Sequence, residues 1–178
     1  MMTVAAASDA PIDGFGGSAW GTALAEIRTA NADEKPSESS ETFLAYKRSV
    51  AGIPVMAVYR CGENGLESGM YLCKDEFANP QSYVESYRQL AKSLSEKYGP
   101  PAYDETTFKD DIYRKQPDRL GMAIAAERAS MFAEWKRGDA VIRVRCAGKQ
   151  FAVNTVVIYQ ANAQADAKKA EAKQKAGL

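Results

Sequence analysis

The sequence contains no histidine. That removes every Ser-His and Cys-His nucleophile pair from this chain, and with them the imidazole donors of most protein metal sites. Long hydrophobic runs are missing too; nothing approaches the roughly 18 apolar residues of a transmembrane helix. Charge of one sign does not dominate: 23 basic and 23 acidic residues leave a formal net charge of zero. Whole-chain electrostatics therefore give no case for a nucleic acid or an anionic membrane as partner. There is no glycine-rich phosphate loop after a strand and no serine in a nucleophile-elbow setting, and no cofactor is called for. Cysteine is scarce. Cys61, Cys73 and Cys146 are too dispersed for a metal site, and either two of them pair or all three are buried thiols.

What is present is ordinary globular composition, 46% apolar and 26% charged, over 178 residues. That length suits one domain, or two small units around a shared core. A repeated pattern favours two units. Phe43-x-x-Tyr46-Lys47-Arg48 returns as Phe132-x-x-Trp135-Lys136-Arg137. Each is followed by a turn, a β-branched run ending at Cys61-Gly62 or Cys146-Ala147-Gly148, and a further strand-like run.

Residues 1–17 are small and glycine-rich and read as a flexible lead-in. Ala5-Ala6-Ala7 before Ser8 has the look of the end of a signal peptide, which places the protein in the periplasm or outside the cell; a cytoplasmic protein with an alanine-rich start is the alternative. Ser18 or Thr22 is placed to cap a first helix, whose stripe would be Trp20, Ala23, Leu24 and Ile27. Three strands follow from Thr42 to Cys73, turning at Ala51-Gly52 and at Glu63-Asn64-Gly65, where Asn-Gly tolerates positive φ. The links are too short for crossovers, so this meander is antiparallel. Asn79-Pro80 opens a long helix that Gly99-Pro100-Pro101 stops. A short edge strand is expected near Asp104–Phe108 and a short helix from Pro117 to about Ala126, weakened by Gly121. A second meander occupies Ala129–Gln160, with turns at Gly138-Asp139 and Gly148-Lys149-Gln150. Residues 161–178 are rich in Ala and Lys and have no apolar face to bury, which predicts a solvated tail.

The expected fold is α+β: two helix–three-strand units, 18–73 and 79–160, joined into one antiparallel sheet with the helices packed on one face. The Phe15…Trp20-Gly21-Thr22 opening, the Tyr98-Gly99-Pro100-Pro101 stop and the Trp135-led hairpin before Tyr159 resemble small uncharacterised exported bacterial proteins. The arrangement is also similar to the α+β folds of outer-membrane assembly lipoproteins and of β-lactamase-inhibitor proteins, an analogy of fold only.

Four residues stand out as candidates for binding. Arg143 and Arg145 point to one face of their strand, and Arg60 joins them if the two units abut; a basic stripe on an open sheet face suits an acidic peptide, a phosphate or an anionic polymer. Neighbouring carboxylates that simply neutralise the stripe are the plainer reading. Trp20, in Trp-Gly-Thr, is either part of a recognition loop or a packing residue. The aromatic-Lys-Arg triplets split between sheet faces and favour one aromatic in the core with its charges in solvent. No catalytic residue emerges. Asp104, Glu105, Asp110 and Asp111 cluster in a polar segment without the enclosed cleft that a carboxylate pair needs. These features point to a non-enzymatic exported binding or assembly-support module that holds a protein or envelope component. A protein inhibitor of an extracellular enzyme and a carboxylate-dependent hydrolase are the alternatives.

Overall fold

The computed structural model describes residues 10–73 and 76–161. The architecture is α+β. A two-stranded hairpin, β1 (Gly14–Phe15) and β2 (Ser18–Ala19), leads into α1 (Leu24–Ala30). The short β3 (Glu38–Ser39) and the meander β4 (Phe43–Val50), β5 (Ile53–Gly62) and β6 (Gly65–Cys73) come next. Then come α2 (Gln81–Tyr98), β7 (Tyr103–Phe108), a 3-10 turn at Pro117–Arg119 and α3 (Leu120–Ala125). The second meander is β8 (Ala129–Arg137), β9 (Ala140–Lys149) and β10 (Ala152–Ala161).

All strands after β2 form one antiparallel sheet in the order β3-β4-β5-β6-β10-β9-β8-β7. The two meanders meet edge to edge, with Val157 of β10 opposite Tyr71 of β6 and Tyr159 opposite Gly69. Because side chains alternate across a strand, this register sorts every strand residue onto one of two faces. One face carries Tyr46, Tyr59, Tyr71, Val157, Tyr159, Ile142, Val144 and Trp135. On that face Leu90, Leu94 and Lys97 of α2 adjoin Tyr71, Val157 and Tyr159.

Local chemistry explains the long helix. The Asn79 side chain accepts from the Gln81 N–H at 3.0 Å, and Gly99 ends the helix at φ +77°. Val84, Tyr87, Leu90, Leu94 and Tyr98 form its buried face. Gly121, expected to weaken α3, is what lets it dock. A Cβ there would lie 2.3 Å from the Pro80 carbonyl carbon, and the Gly121 N–H donates to Gln81 Oε1 at 2.9 Å. Packing against the start of α2 outweighs the cost of glycine in a short helix.

The first helix departs from expectation. It begins at Leu24 behind Ala23, with no side-chain cap, and Trp20 lies outside it. The Thr22 hydroxyl donates to the Ala19 carbonyl at 2.8 Å and so is spent on the preceding turn. Phe15, in the segment read as a lead-in, is 2% exposed and sits over Gly69, where a Cβ would lie 2.0 Å from its ring. Tyr59, Tyr71 and Tyr159 surround that ring at centroid distances of 4.9, 4.6 and 5.3 Å.

Two turns also differ. At the β5–β6 turn the positive φ falls on Gly65 rather than on Asn64, beside a register shift at Arg60/Cys61. At the β9–β10 turn the strand runs on through Gly148 to Lys149, and Gln150 and Phe151 take φ of 51° and 64°. No disulfide joins the three cysteines; Cys61 and Cys146 are buried and Cys73 is half-buried. The Ala5–Ala7 run and the tail beyond Ala161 lie outside the described residues, while Ala161 itself is the last residue of β10.

Candidate functional site

The second face of the sheet is best described row by row across paired strands. One row reads Lys47, Met56, Leu72, Val156, Arg145, Phe132, Glu105. The next reads Ala45, Val58, Met70, Ile158, Arg143, Glu134, Tyr103. At the centre stands an apolar block three strands wide and two rows deep: Met56, Leu72 and Val156 beside Val58, Met70 and Ile158. Met56 is 8% exposed and the other five are half-buried, so the block is a recessed floor.

Strand positions on this face hold six cations, Lys47, Arg60, Lys136, Arg143, Arg145 and Lys149, against four carboxylates, Glu38, Glu105, Glu134 and Glu67, the last brought beside Gly62 by the register shift next to Arg60. The chain as a whole is neutral. Arg143 Nε donates to Glu134 Oε2 at 2.8 Å, and Lys136 Nζ lies 3.0 Å from Glu134 Oε1. Burial pushes the Glu134 carboxyl up, but the hydrogen bonds and charges of Lys136 and Arg143 outweigh it and hold the group below the usual carboxylate range. Glu105 accepts from the Tyr103 hydroxyl. Lys47, Arg60 and Arg145 are exposed and have no ion-pair partner among the described residues.

The four sequence candidates therefore separate. Arg143 and Arg145 share a face and are neighbours on β9, but Arg143 is neutralised by Glu134. Arg60 shares that face and stands opposite Ser68, three strands and about 14 Å from β9 at the usual strand spacing. The Met70–Ile158 floor lies between, so no continuous arginine stripe forms. Trp20 is elsewhere. Its Nε1 donates to the Ile12 carbonyl at 2.9 Å and its ring packs on the core. Gly21 N–H donates to the Leu66 carbonyl at 2.9 Å, and Leu66 N–H to the Thr22 carbonyl at 2.8 Å, so Trp20-Gly21-Thr22 is stitched to the start of β6.

The six apolar floor residues were not candidates on sequence. Their signal was present in β5 and β10, where both alternating sets are largely apolar, but pairing across the β6–β10 seam is what makes them contiguous.

The other face has a groove. Where the β1–β2 hairpin approaches the end of α2, a cavity of about 480 Å³ is lined by Asp13, the Gly14–Ala19 backbone, Tyr71, Lys97, Tyr98 and Tyr159, and a second of about 200 Å³ adjoins it through Tyr71, Lys97 and Tyr159. Burial pushes the Tyr71 phenol up to about 12, and burial likewise raises Tyr159, so both stay protonated donors in the ordinary pH range.

The acidic cluster does not form a pair. Asp104 and Glu105 alternate to opposite faces of β7, Asp110 lies 3.6 Å from Arg128, and Asp111 lies 3.2 Å from Arg114. Burial raises the Cys61 and Cys146 thiols, the reverse of what a nucleophile needs. Among the described residues no three His, Cys, Asp or Glu side chains converge as metal ligands, and no helix is long and apolar enough to cross a membrane. No family model, curated protein or solved structure matches the chain.

Proposed function

We propose that this chain is a non-enzymatic binding module that holds a protein partner on the Met56–Leu72–Val156 face of its sheet. In this reading a helix–three-strand unit has been used twice, and the helices and the β1–β2 hairpin all serve the opposite face. Contacts of α2 with Val157 and Tyr159, of Arg48 with Asn31 after α1, and of Gly148 with Ile124 in α3 support that division. One observation carries the proposal: the six-residue apolar floor, which a water-facing sheet has no need of and which the described helices leave uncovered. Export belongs to the same proposal and rests on the Ala5–Ala7 run. An inhibitor of an extracellular enzyme would use this face too and differ only in the nature of its partner.

Site-specific photocrosslinking in the native cell tests the reading. A photoreactive residue at Val156 is expected to give one discrete protein adduct. The adduct should disappear in a Met70→Glu variant that remains folded by circular dichroism. A photoreactive residue at Glu96, on the outer side of α2, is the control. No adduct from Val156, or the same adduct from Glu96, would end the proposal.

A further inference from the structure

The partner's chemistry can be read from the arrangement of charge around the floor, an inference that rests on the binding role just proposed. Lys47 on β4 and Arg145 on β9 bracket the row Met56–Leu72–Val156. Four strand spacings separate them, about 19 Å at about 4.8 Å each. Arg60 marks a third corner, two residues along β5 from Val58. These three cations have no carboxylate partner among the described residues, whereas Arg143 does. An unsatisfied cation at each end of an apolar row is half of a complementary pair of surfaces.

We infer that the face receives an amphipathic helix of the partner, about 12 or 13 residues long, lying across the strands with carboxylates at both ends. At 1.5 Å per residue such a helix spans about 19 Å, the distance between the two bracketing cations. Its apolar stripe, at i, i+3, i+4 and i+7, covers three strands. Carboxylates at its ends meet Lys47 on one side and Arg145 on the other. A second copy of this chain does not fit face to face, because cations would oppose cations. A lipid surface does not fit either. The floor is recessed below long Lys and Arg side chains and cannot reach an acyl layer, and Glu134, Glu105 and Glu38 stand on the same face.

The test uses the full chain and three synthetic probes. The first is a 13-residue helical peptide with a leucine stripe and two glutamates at each end. In the second, lysines replace the glutamates. The third probe is vesicles containing phosphatidylglycerol. Fluorescence anisotropy at 50 mM and 300 mM NaCl is expected to show the glutamate-ended peptide binding at least tenfold more tightly than the lysine-ended one at low salt, with the preference shrinking at high salt. Lys47→Glu with Arg145→Glu should weaken the glutamate-ended peptide at least tenfold and leave Tm within a few degrees. Equal affinity for the two peptides, survival of binding in the double variant, or equally strong recruitment to the vesicles would overturn the inference. If a Val156 crosslink persists in the cell while the peptides show no preference, the docking face stands and the acidic helix falls.

Discussion

The helix of the first half, α1, is seven residues long, and that of the second, α2, is eighteen. The strands beneath them are nearly matched in length and in pattern, so the difference lies in how each half covers the same kind of surface. In the second half the cover is the continuous α2 with the short α3 docked at its start. Trp135 is 0% exposed beneath it and its Nε1 donates to the Gly99 carbonyl at 2.9 Å. In the first half Tyr46 occupies the matching place at 1% exposure, but its hydroxyl has no hydrogen-bond partner. There the cover is assembled from α1, Phe15 and the Trp20-Gly21-Thr22 stitch, and a groove remains beside Tyr71 and Tyr159. One device is common to both halves. Arg48 bonds Asn31 Oδ1 at 2.7 Å and pairs with Glu34, just past the end of α1; Arg137 bonds the Tyr98 carbonyl and the Pro100 carbonyl (3.4 Å), at the end of α2. The repeated aromatic-Lys-Arg triplet thus places an aromatic in the core, a lysine outside, and an arginine on the C-terminal end of the preceding helix, where a cation is favoured.

If the hairpin replaces missing helix, Phe15→Ala should be among the most damaging changes in the first half. Truncating a buried phenylalanine costs about 3–5 kcal/mol, and chemical denaturation would measure it. A loss under 1 kcal/mol would show that the hairpin is merely laid on the surface.

The tyrosines that fill this half make a pH prediction. Tyr59, Tyr71 and Tyr159 are raised chiefly by burial, as is Tyr87 on the buried face of α2. A raised phenol stays protonated in the folded chain while the unfolded chain ionises near 10, so the unfolded state binds fewer protons and stability falls as pH rises. Tm should hold to about pH 9.5 and fall progressively from 10 to 12, with tyrosinate absorbance appearing together with unfolding. Tyrosinate that appears at pH 10 without loss of structure would contradict the burial.

The core aromatics give a more direct comparison. Trp135→Phe strands the Gly99 carbonyl and removes ring volume, at a cost of about 1–3 kcal/mol. Tyr46→Phe removes a hydroxyl that bonds nothing, and should be neutral or slightly stabilising. The arginines should differ in the same direction. Arg137→Ala loses charged hydrogen bonds to backbone carbonyls, about 1.5–3 kcal/mol. Arg48→Ala loses one part-buried hydrogen bond to the Asn31 side chain and a partly exposed ion pair worth about 0–1 kcal/mol, and should cost less than the loss of the backbone bonds of Arg137. Equal losses at the two sites would refute the difference in cover. The smallest expected effect has the opposite sign. Phe151 is 78% exposed at φ 64°, so Gln150→Asn with Phe151→Gly should raise stability by roughly 0.4–1 kcal/mol, about 2 °C in Tm.

The antiparallel meanders, the long helix and its ends were legible in the sequence because short turns, alternation and the Asn79-Pro80 start are local signals. The expected stripe from Trp20 to Ile27 failed for a tertiary reason: Trp20-Gly21-Thr22 bonds to β6, 44 residues beyond, and that competition starts α1 late. Gly121 misled because propensity ignores the neighbour it approaches. The Gln150-Phe151 turn broke local rules, since Gly148 was needed two residues earlier, against the Ile124 carbonyl. Of the candidate site, the individual cations were visible. The apolar floor was not, because a sheet face exists only once strands from both halves are paired.

The seam that makes that face is closed by β10, the last strand among the described residues. β10 sits in the middle of the sheet, and its partner β6 is complete some eighty residues earlier. A chain emerging from a ribosome or a pore therefore carries an open strand edge, with Met70 and Leu72 beside it, through the whole synthesis of α2, α3 and the second meander. Loop closure of that length is slow, and an unpaired edge is a template for the wrong strand. Completion of the sheet thus waits for β10, and a chain cut short before residue 152 would be left with both its sheet and its apolar floor unfinished.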